Sequence, residues 1–321
     1  MIASANPTWV AKVQNQSRLA FGLAVTDMAA RDDKVVAISA DTLDLIGLRE
    51  MVAAAPDRVI EAGIAEQNAM GVASGMATTG IRPHLCGYAP FITARSMEQL
   101  RNDVAYAKQR VVIGAACSGI VLGVSGGTHH ALEDIALMRS LPNMTVLVPA
   151  DAYEAWHLTQ ATENLDGPSY IRLGGKMDEP PVTALDAKPM IGKATTLRRG
   201  TDVTVIACGV MVVEALAAAD GLAGEGVGVR VLNMHTIKPL DRDAVLAAAV
   251  ETHGIVAAEE HHFTGGLGGA VAELVSEHHP TRMRFVGMPD EFAIVGPAAQ
   301  VRARYGMSAA NIMTKCRELM A

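Results

Sequence analysis

One glutamate stands where a carboxylate could exchange a proton with a bound base. Glu66 follows a short apolar run, Val59 and Ile60, and then Gly63, which suits a tight turn because it has no Cβ. Small helix-forming residues begin at Ala65. The pattern predicts a strand, a turn and a helix, with Glu66 in the first helical turn. A helix N-terminus lowers the pKa of a carboxyl group, and burial raises it. Acidic residues also favour this position for stability alone, and the spacing does not separate the two roles.

Other residues that could take part in chemistry follow other predicted strands. His129 lies in a glycine-rich loop, residues 123–130, and histidine exchanges protons near neutral pH. The loop lacks the Lys-Ser/Thr ending of a phosphate-binding P-loop. Tyr88 and Phe91 offer aromatic faces for stacking, and Asp41 offers a carboxylate. Each residue also has an ordinary alternative, as a structural histidine, a core aromatic or a loop cap.

Apolar runs and helical stretches alternate along the chain, which is typical of an α/β fold. Ligands of open α/β sheets bind beyond the carboxyl ends of the strands, where the candidates above are expected. The segment 174–189 is rich in Gly, Pro, Asp and Lys without periodicity, so it is predicted to be a linker. We expect two α/β domains, residues 1–188 and 189–321. Strands are predicted at 35–39, 59–60, 82–88, 111–116, 145–151, 168–172, 202–207, 229–233 and 254–260.

Composition excludes several classes of function. With 321 residues, 50% of them hydrophobic and 19% charged, the chain can bury a sizeable core. The formal net charge is -7 and no long basic run occurs, which argues against a nucleic-acid partner. No apolar run is long enough to span a bilayer, so no membrane association is expected. The four cysteines are far apart and form no CxxC motif, which fits reduced thiols in a cytoplasm.

The phrase Gly63-Ile64-Ala65-Glu66-Gln67-Asn68, with the glycine-rich helix after it, resembles the pyrimidine-binding domain of thiamine-diphosphate enzymes of the transketolase family. The resemblance implies that Glu66 hydrogen-bonds N1′ of the cofactor's aminopyrimidine and promotes deprotonation of its thiazolium ring. It also implies that Phe91 stacks on the aminopyrimidine. Three further residues are expected near the cofactor: Asp41, Ile64 and Tyr88.

The segment from Thr128 to Met144 also resembles the transketolase family. There the residue that matches His129 faces the substrate, where it exchanges protons with the sugar or stabilises its oxyanion. The residues expected to bind the substrate are His129, Ser125, Arg172 and Arg95. The carboxyl-terminal half resembles a domain that transketolases share with deoxyxylulose-phosphate synthases and oxoacid dehydrogenase β subunits, where it mainly packs dimers.

The family's diphosphate site is missing from this sequence. It uses Mg²⁺ held by a Gly-Asp-Gly motif with a downstream Asn, and no Gly-Asp-Gly occurs here. The resemblance therefore implies a separate amino-terminal subunit that binds the diphosphate and holds most of the Mg²⁺ (or Ca²⁺) site. We expect an α2β2 assembly with thiamine diphosphate bound across a subunit boundary and a small sugar as substrate.

The favoured function is transfer of a two-carbon ketol unit from a ketose, with or without phosphate, to an aldose, active only with the partner. The alternatives are a related enzyme of the deoxyxylulose-phosphate synthase or oxoacid dehydrogenase β type, and a non-catalytic assembly subunit. Three positions depart from sugar-phosphate transketolases: Ser125 replaces an Asp, and Cys117 and Gly175 lie near expected phosphate-binding His and Arg residues. These changes predict weaker phosphate recognition.

Overall fold

The computed structural model describes residues 9–176 and 179–321. Residues 1–8 of the predicted first domain and residues 177–178 of the predicted linker lie outside that description. The fold is α/β, as predicted, with two mostly parallel sheets that pack between helices. The strands are β1 Val35–Ser39, β2 Val59–Glu61, β3 Arg82–Tyr88, β4 Val112–Ala116, β5 Thr145–Leu147, β6 Ser169–Arg172, β7 Thr195–Arg198, β8 Val203–Ala207, β9 Val229–Asn233, β10 Thr236–Lys238, β11 Ile255–His262 and β12 Met283–Met288.

Helices cover both sheets. The α-helices are α1 Val10–Val13, α2 Ser17–Arg31, α3 Arg49–Ala54, α4 Glu66–Thr78, α5 Met97–Gln99, α6 Asp134–Ser140, α7 Ala152–Ala161, α8 Met211–Ala223, α9 Arg242–Glu251, α10 Leu267–His278, α11 Ala298–Arg304 and α12 Ala309–Met320. The segments Phe91–Arg95 and Leu100–Tyr106 are wider π-helical turns on either side of α5. Short 3₁₀ turns lie at Pro56–Arg58, Gly123–Ser125 and Thr162–Asn164.

The first sheet has the strand order β10-β5-β6-β4-β3-β1-β2. All its strands are parallel except β10, which pairs antiparallel to β5. Helix α2 packs closely on this sheet, and a Cβ at Gly114 of β4 would lie 2.5 Å from the ring of Phe21. Glycine at this position therefore lets the aromatic ring reach the strand. The consequence for function is that β4, β3, β1 and β2 are neighbours and end at one edge.

The glycine-rich face of the helix that begins at Glu66 contacts no other element in the described part of this chain. Its glycines suggest a close-packed helix pair, yet a Cβ at Gly71 or Gly75 would meet no atom within 4 Å. Met70 and Ala73, on the opposite side of α4, are fully buried in the core. The small-residue face of α4 is therefore open in the described part of this chain.

A strand from the second half of the chain joins the first sheet. Thr236 pairs with Leu147, and the strand predicted at 145–151 ends early because the N–H of Val148 donates to His235 instead. The second sheet, β12-β11-β8-β9-β7, shares an apolar core with the first. The boundary predicted between residues 188 and 189 remains a prediction, although β10 shows that the two halves pack closely.

A buried carboxyl group also connects the halves. Glu154 of α7 accepts hydrogen bonds from the N–H of Ala150 at 2.7 Å and from Nδ2 of Asn233 at 2.9 Å. Burial raises the pKa of Glu154 to about 8. The side chain is therefore mostly protonated at neutral pH, which avoids an unpaired buried charge at the junction.

Among residues 9–176 and 179–321, the helices are all too short or too polar to cross a membrane.

Candidate active site

The carboxyl edge of the first sheet brings together residues that are far apart in sequence. Asp41 follows β1, Glu66 follows β2, Phe91 follows β3 and the loop that carries His129 follows β4. These four strands are adjacent in the sheet. Parallel strands deliver the loops after them to the same edge, which is where α/β sheets bind ligands. The topology thus places the predicted cofactor and substrate residues around one site.

Glu66 is a buried carboxylate at the start of α4. Its side chain is only 3% exposed, and its Oε2 accepts a hydrogen bond from Nη1 of Arg95 at 2.7 Å. The Arg95 side chain is 48% exposed, so one member of this ion pair reaches solvent. The preceding residue, Ala65, makes no side-chain cap, which leaves the helix N-terminus to act on the carboxylate of Glu66.

Three aromatic rings lie next to one another at the site. The ring centroids of Tyr88 and Phe91 are 6.2 Å apart, and those of Phe91 and His129 are 5.3 Å apart with an interplanar angle of 79°. Nδ1 of His129 lies 3.0 Å from the hydroxyl of Thr128, which limits rotation of the imidazole. Burial raises the pKa of Tyr88, so its phenol stays neutral and can serve as a donor. Phe91 therefore sits between a phenol and an imidazole.

Glu61, which no local pattern singles out, organises the loops around the site. Its Oε1 accepts from the N–H of Asp41 at 2.7 Å and from the N–H of Gly63 at 2.9 Å. Asp41 has φ +58°, a left-handed conformation that Asp tolerates better than most residues. One carboxylate thus joins the loop after β1 to the turn that leads to Glu66. Ile64, in that turn, is 75% exposed.

The structure corrects the prediction for Arg172. Its side chain is 5% exposed, its Nε donates to Oδ2 of Asp134 at 2.8 Å, and its Nη2 donates to the carbonyl oxygens of Ala131 and Glu260. Burial lowers the pKa of Arg172, but Asp134, Glu260 and Tyr170 together raise it more, so the guanidinium stays charged. Arg172 therefore holds the interior together and offers no exposed group to a substrate.

Arg172→Met should destabilise the protein by about 3–5 kcal/mol, because it leaves Asp134 buried without its cation. Urea unfolding followed by circular dichroism measures this, with Arg101→Met, a change at an exposed arginine, as the matched control. Unchanged stability together with a raised KM for the ketose would restore Arg172 to the substrate site.

A basic cleft opens beside Tyr88. Its volume is about 610 Å³, and its charged lining consists of four cationic side chains, Lys12, Arg18, Arg49 and Lys176, and three carboxylates, Asp41, Asp44 and Glu50. Arg49 is paired with Asp44. Lys12 is paired with Glu50 at 2.8 Å, whereas Lys176 has no ion-pair partner in the described residues. Because these cations come from three separate parts of the chain, around residues 12–18, 49 and 176, no local sequence pattern predicts the cleft.

Two of the departures from the family pattern, Gly175 and Cys117, lie close to each other. A Cβ at Gly175 would lie 2.1 Å from Cγ1 of Val121 and 3.5 Å from Sγ of Cys117. Val121 therefore fills the space that the side chain of an arginine at position 175 would need. Ser125 is exposed in the 3₁₀ turn, four residues before His129. Lys176, next to Gly175, provides a cation close to the position where the family's arginine is missing.

No group of three or more His, Cys, Asp or Glu side chains placed to hold a metal ion occurs in residues 9–176 and 179–321. Among the residues described, the site offers a carboxylate, edge-to-face aromatic rings and cations.

Two family models match the chain in succession. Residues 14–176 match the pyrimidine-binding domain of transketolase, and residues 192–312 match the transketolase C-terminal domain.

Curated relatives of similar length are subunits of divided enzymes. The chain is 38% identical to the 6-deoxy-6-sulfo-D-fructose transketolase subunit SqwH of Clostridium sp. (strain MSTE9), over 91% of each chain. It is 36% identical to a subunit of the apulose-4-phosphate transketolase of Phocaeicola vulgatus, over 94% of this chain and 97% of that one.

The 1-deoxy-D-xylulose-5-phosphate synthase of Syntrophotalea carbinolica is 37% identical over 94% of this chain, which matches only 47% of that enzyme. A solved structure described as a split gene transketolase, inactive beta4 tetramer, superposes with a TM-score of 0.88 at 38% identity. That match covers 95% of this chain and 98% of the other. The length match therefore favours split subunits over the synthase.

Proposed function

The chain belongs to the transketolase family as the carboxyl-terminal subunit of a split transketolase, and we propose that it supplies the pyrimidine-binding and substrate-binding half of a thiamine-diphosphate site. The observation that carries this proposal is that a buried carboxylate, Glu66, and an aromatic ring, Phe91, both contact one flat group, the guanidinium of Arg95, at the carboxyl edge of the sheet.

These residues fit the aminopyrimidine end of the cofactor. A flat, hydrogen-bonding ring needs a buried acceptor and an aromatic face. In this chain the carboxylate of Glu66 and the ring of Phe91 already hold a flat donor group, the guanidinium of Arg95. Tyr88, Asp41 and Ile64 would complete the walls. When bound, thiamine diphosphate supplies the nucleophilic carbon that takes up the two-carbon unit.

This chain would transfer protons both at the cofactor and at the sugar substrate. Glu66, in the first turn of α4, would exchange a proton with N1′ of the aminopyrimidine. His129 lies edge-on to Phe91 and would donate a proton to, or take one from, a sugar oxygen. Ser125 and Arg95, which lie between Phe91 and His129 in the sequence, would bind sugar hydroxyls.

An amino-terminal subunit would bind the diphosphate and Mg²⁺ and cover the open surface of this half site. Several apolar side chains around the site are exposed: Ile64 by 75%, Val124 by 70% and Phe292 by 85%. Phe292 also lies beside Gly127 in the loop that carries His129. Such exposure is typical of a surface that a partner buries. We propose an α2β2 assembly, in line with the divided relatives.

The donor is proposed to be a ketose with an anionic end. The relatives named above act on a sulfo sugar and a phosphorylated one, and the cleft beside Tyr88 carries four cations against three carboxylates. Lys176 is the cation best placed to serve an incoming anion, because it has no ion-pair partner in the described residues.

To test this function, the complex with its amino-terminal subunit is assayed for two-carbon transfer to an aldose. The donors are fructose 6-phosphate, 6-deoxy-6-sulfofructose and fructose. One charge-assisted bond is worth about 1.5–3 kcal/mol, so anionic ketoses should exceed fructose in kcat/KM by at least about tenfold. Lys176→Ala should reduce that ratio, whereas Lys34→Ala, at the other end of β1, should not.

Equal turnover of fructose and the anionic ketoses would remove the anionic end from the proposal. Absence of transfer from every ketose, with condensation of pyruvate and an aldose phosphate instead, would favour the deoxyxylulose-phosphate synthase alternative. Absence of both reactions in a stable complex would favour a non-catalytic assembly subunit.

A further inference from the structure

Arg95 makes both contacts that a flat nitrogen heterocycle would need at this site. Its Nη1 lies 2.7 Å from Oε2 of Glu66, and its Cζ lies 4.5 Å from the centroid of the Phe91 ring. Phe91 and Arg95 are the first and last residues of one π-helical turn, which brings their side chains to the same side of the backbone. The guanidinium therefore lies over the ring while it is bonded to the carboxylate.

The chemistry of the guanidinium explains why it can take this place. It is planar and permanently charged, it donates in its plane to a carboxylate, and it stacks on aromatic faces. The side chain of Glu66 is only 3% exposed and would otherwise be an uncompensated charge, which is costly in an interior. In the chain without cofactor or partner, the guanidinium of Arg95 compensates the buried charge of Glu66.

We propose that Arg95 is a placeholder for the cofactor's aminopyrimidine, and that cofactor loading displaces its guanidinium from the face of Phe91. This inference rests on the proposed function. Two flat groups cannot occupy the same face of one ring, so the incoming heterocycle must move Arg95 aside. The side chain is half exposed and lies in a wide turn, so it can swing without unfolding a helix.

The placeholder lowers the apparent affinity for the cofactor. Only molecules in which Arg95 has left the ring can accept the heterocycle, so the apparent dissociation constant is the intrinsic one divided by that fraction. A variant without the guanidinium should therefore bind the cofactor more tightly, although it loses a cation from the binding site.

Isothermal calorimetry of thiamine diphosphate with Mg²⁺ on the reconstituted complex tests the proposal. Arg95→Ala should bind about fivefold more tightly than wild type, for a competent fraction of about one fifth. Arg95→Lys, which keeps the charge but not the planar face, should fall between them. Arg101→Ala, at an exposed arginine in the next π-helical turn, should bind as wild type does. Unchanged or weaker binding by Arg95→Ala overturns the placeholder, whereas failure of the wild-type complex to bind overturns the proposed function as well.

A double-mutant cycle on the full chain without its partner gives an independent readout. The ratio of folded to unfolded protein is measured in urea for wild type, Glu66→Ala, Arg95→Ala and the double variant. The pair should show a coupling of about fivefold, matching the gain in cofactor affinity, because both report the same contact. A cycle with no coupling would mean that Arg95 does not hold Glu66, and the inference would fail.

Discussion

Glu66→Gln should assemble with its partner and bind thiamine diphosphate, yet transfer the ketol unit about 10²–10⁴-fold more slowly than wild type. The amide keeps the shape of the carboxylate and can still meet Nη1 of Arg95. It cannot take up and release a proton at the heterocyclic nitrogen, which is the role proposed for Glu66. Stopped-flow or steady-state transfer assays at saturating cofactor measure the loss in kcat, and calorimetry verifies that the cofactor is bound.

The matched control is Glu98→Gln, which changes an exposed glutamate on the segment that follows Phe91. It should retain wild-type turnover, because Glu98 only accepts from Nδ2 of Asn102 on the surface. Wild-type turnover by Glu66→Gln would remove this carboxyl group from the mechanism, whatever the structure of the complex.

The second large effect is dependence on the partner. The chain alone should show no measurable transfer and no tight cofactor binding, and activity should rise with added amino-terminal subunit until the two are equimolar. The physical reason is that the diphosphate is the strongly charged end of the cofactor. The sequence has no Gly-Asp-Gly, and no acidic cluster suited to Mg²⁺ occurs in the described residues.

A substitution on the exposed surface near Glu66 tests whether the partner binds there. Ile64→Asp places a charge on a residue that is 75% exposed beside Glu66, so it should weaken assembly and raise the concentration of partner needed for activity. Val250→Asp changes a residue that is 65% exposed on α9, and it should leave assembly unchanged. Tight cofactor binding by the unpartnered chain in calorimetry would contradict the proposed division of the site.

Much of the fold follows from local patterns. The helix that begins at Glu66, the strand at Val35–Ser39 and the strand at Arg82–Tyr88 have the predicted bounds or nearly so, because apolar runs and small-residue helices carry strong local preferences. Local patterns do not predict β10 as part of the first sheet. Its pairing with β5 joins Thr236 to Leu147, far apart in the chain, and nothing within the short segment specifies that partner.

Arg172 shows where prediction from the sequence failed at the site. An arginine near the carboxyl end of a strand is equally suited to a substrate anion and to a buried aspartate. The presence of Asp134 within 2.8 Å decides between them, and that distance depends on how α6 packs on β6. Glu61 is the reverse case: no pattern marks it as a site residue, yet it holds two loops of the site.

The sequence by itself determined which residue types are available and in what local conformation: a glutamate at a helix start, an aromatic after a strand and a histidine in a glycine-rich loop. Only the tertiary structure decided which of them meet. Parallel pairing brings four strand ends to one edge, and packing then buries Arg172 while leaving Arg95 free to lie across Phe91. The reason is that local preferences act over a few residues, whereas burial and charge pairing depend on neighbours that are distant in the chain.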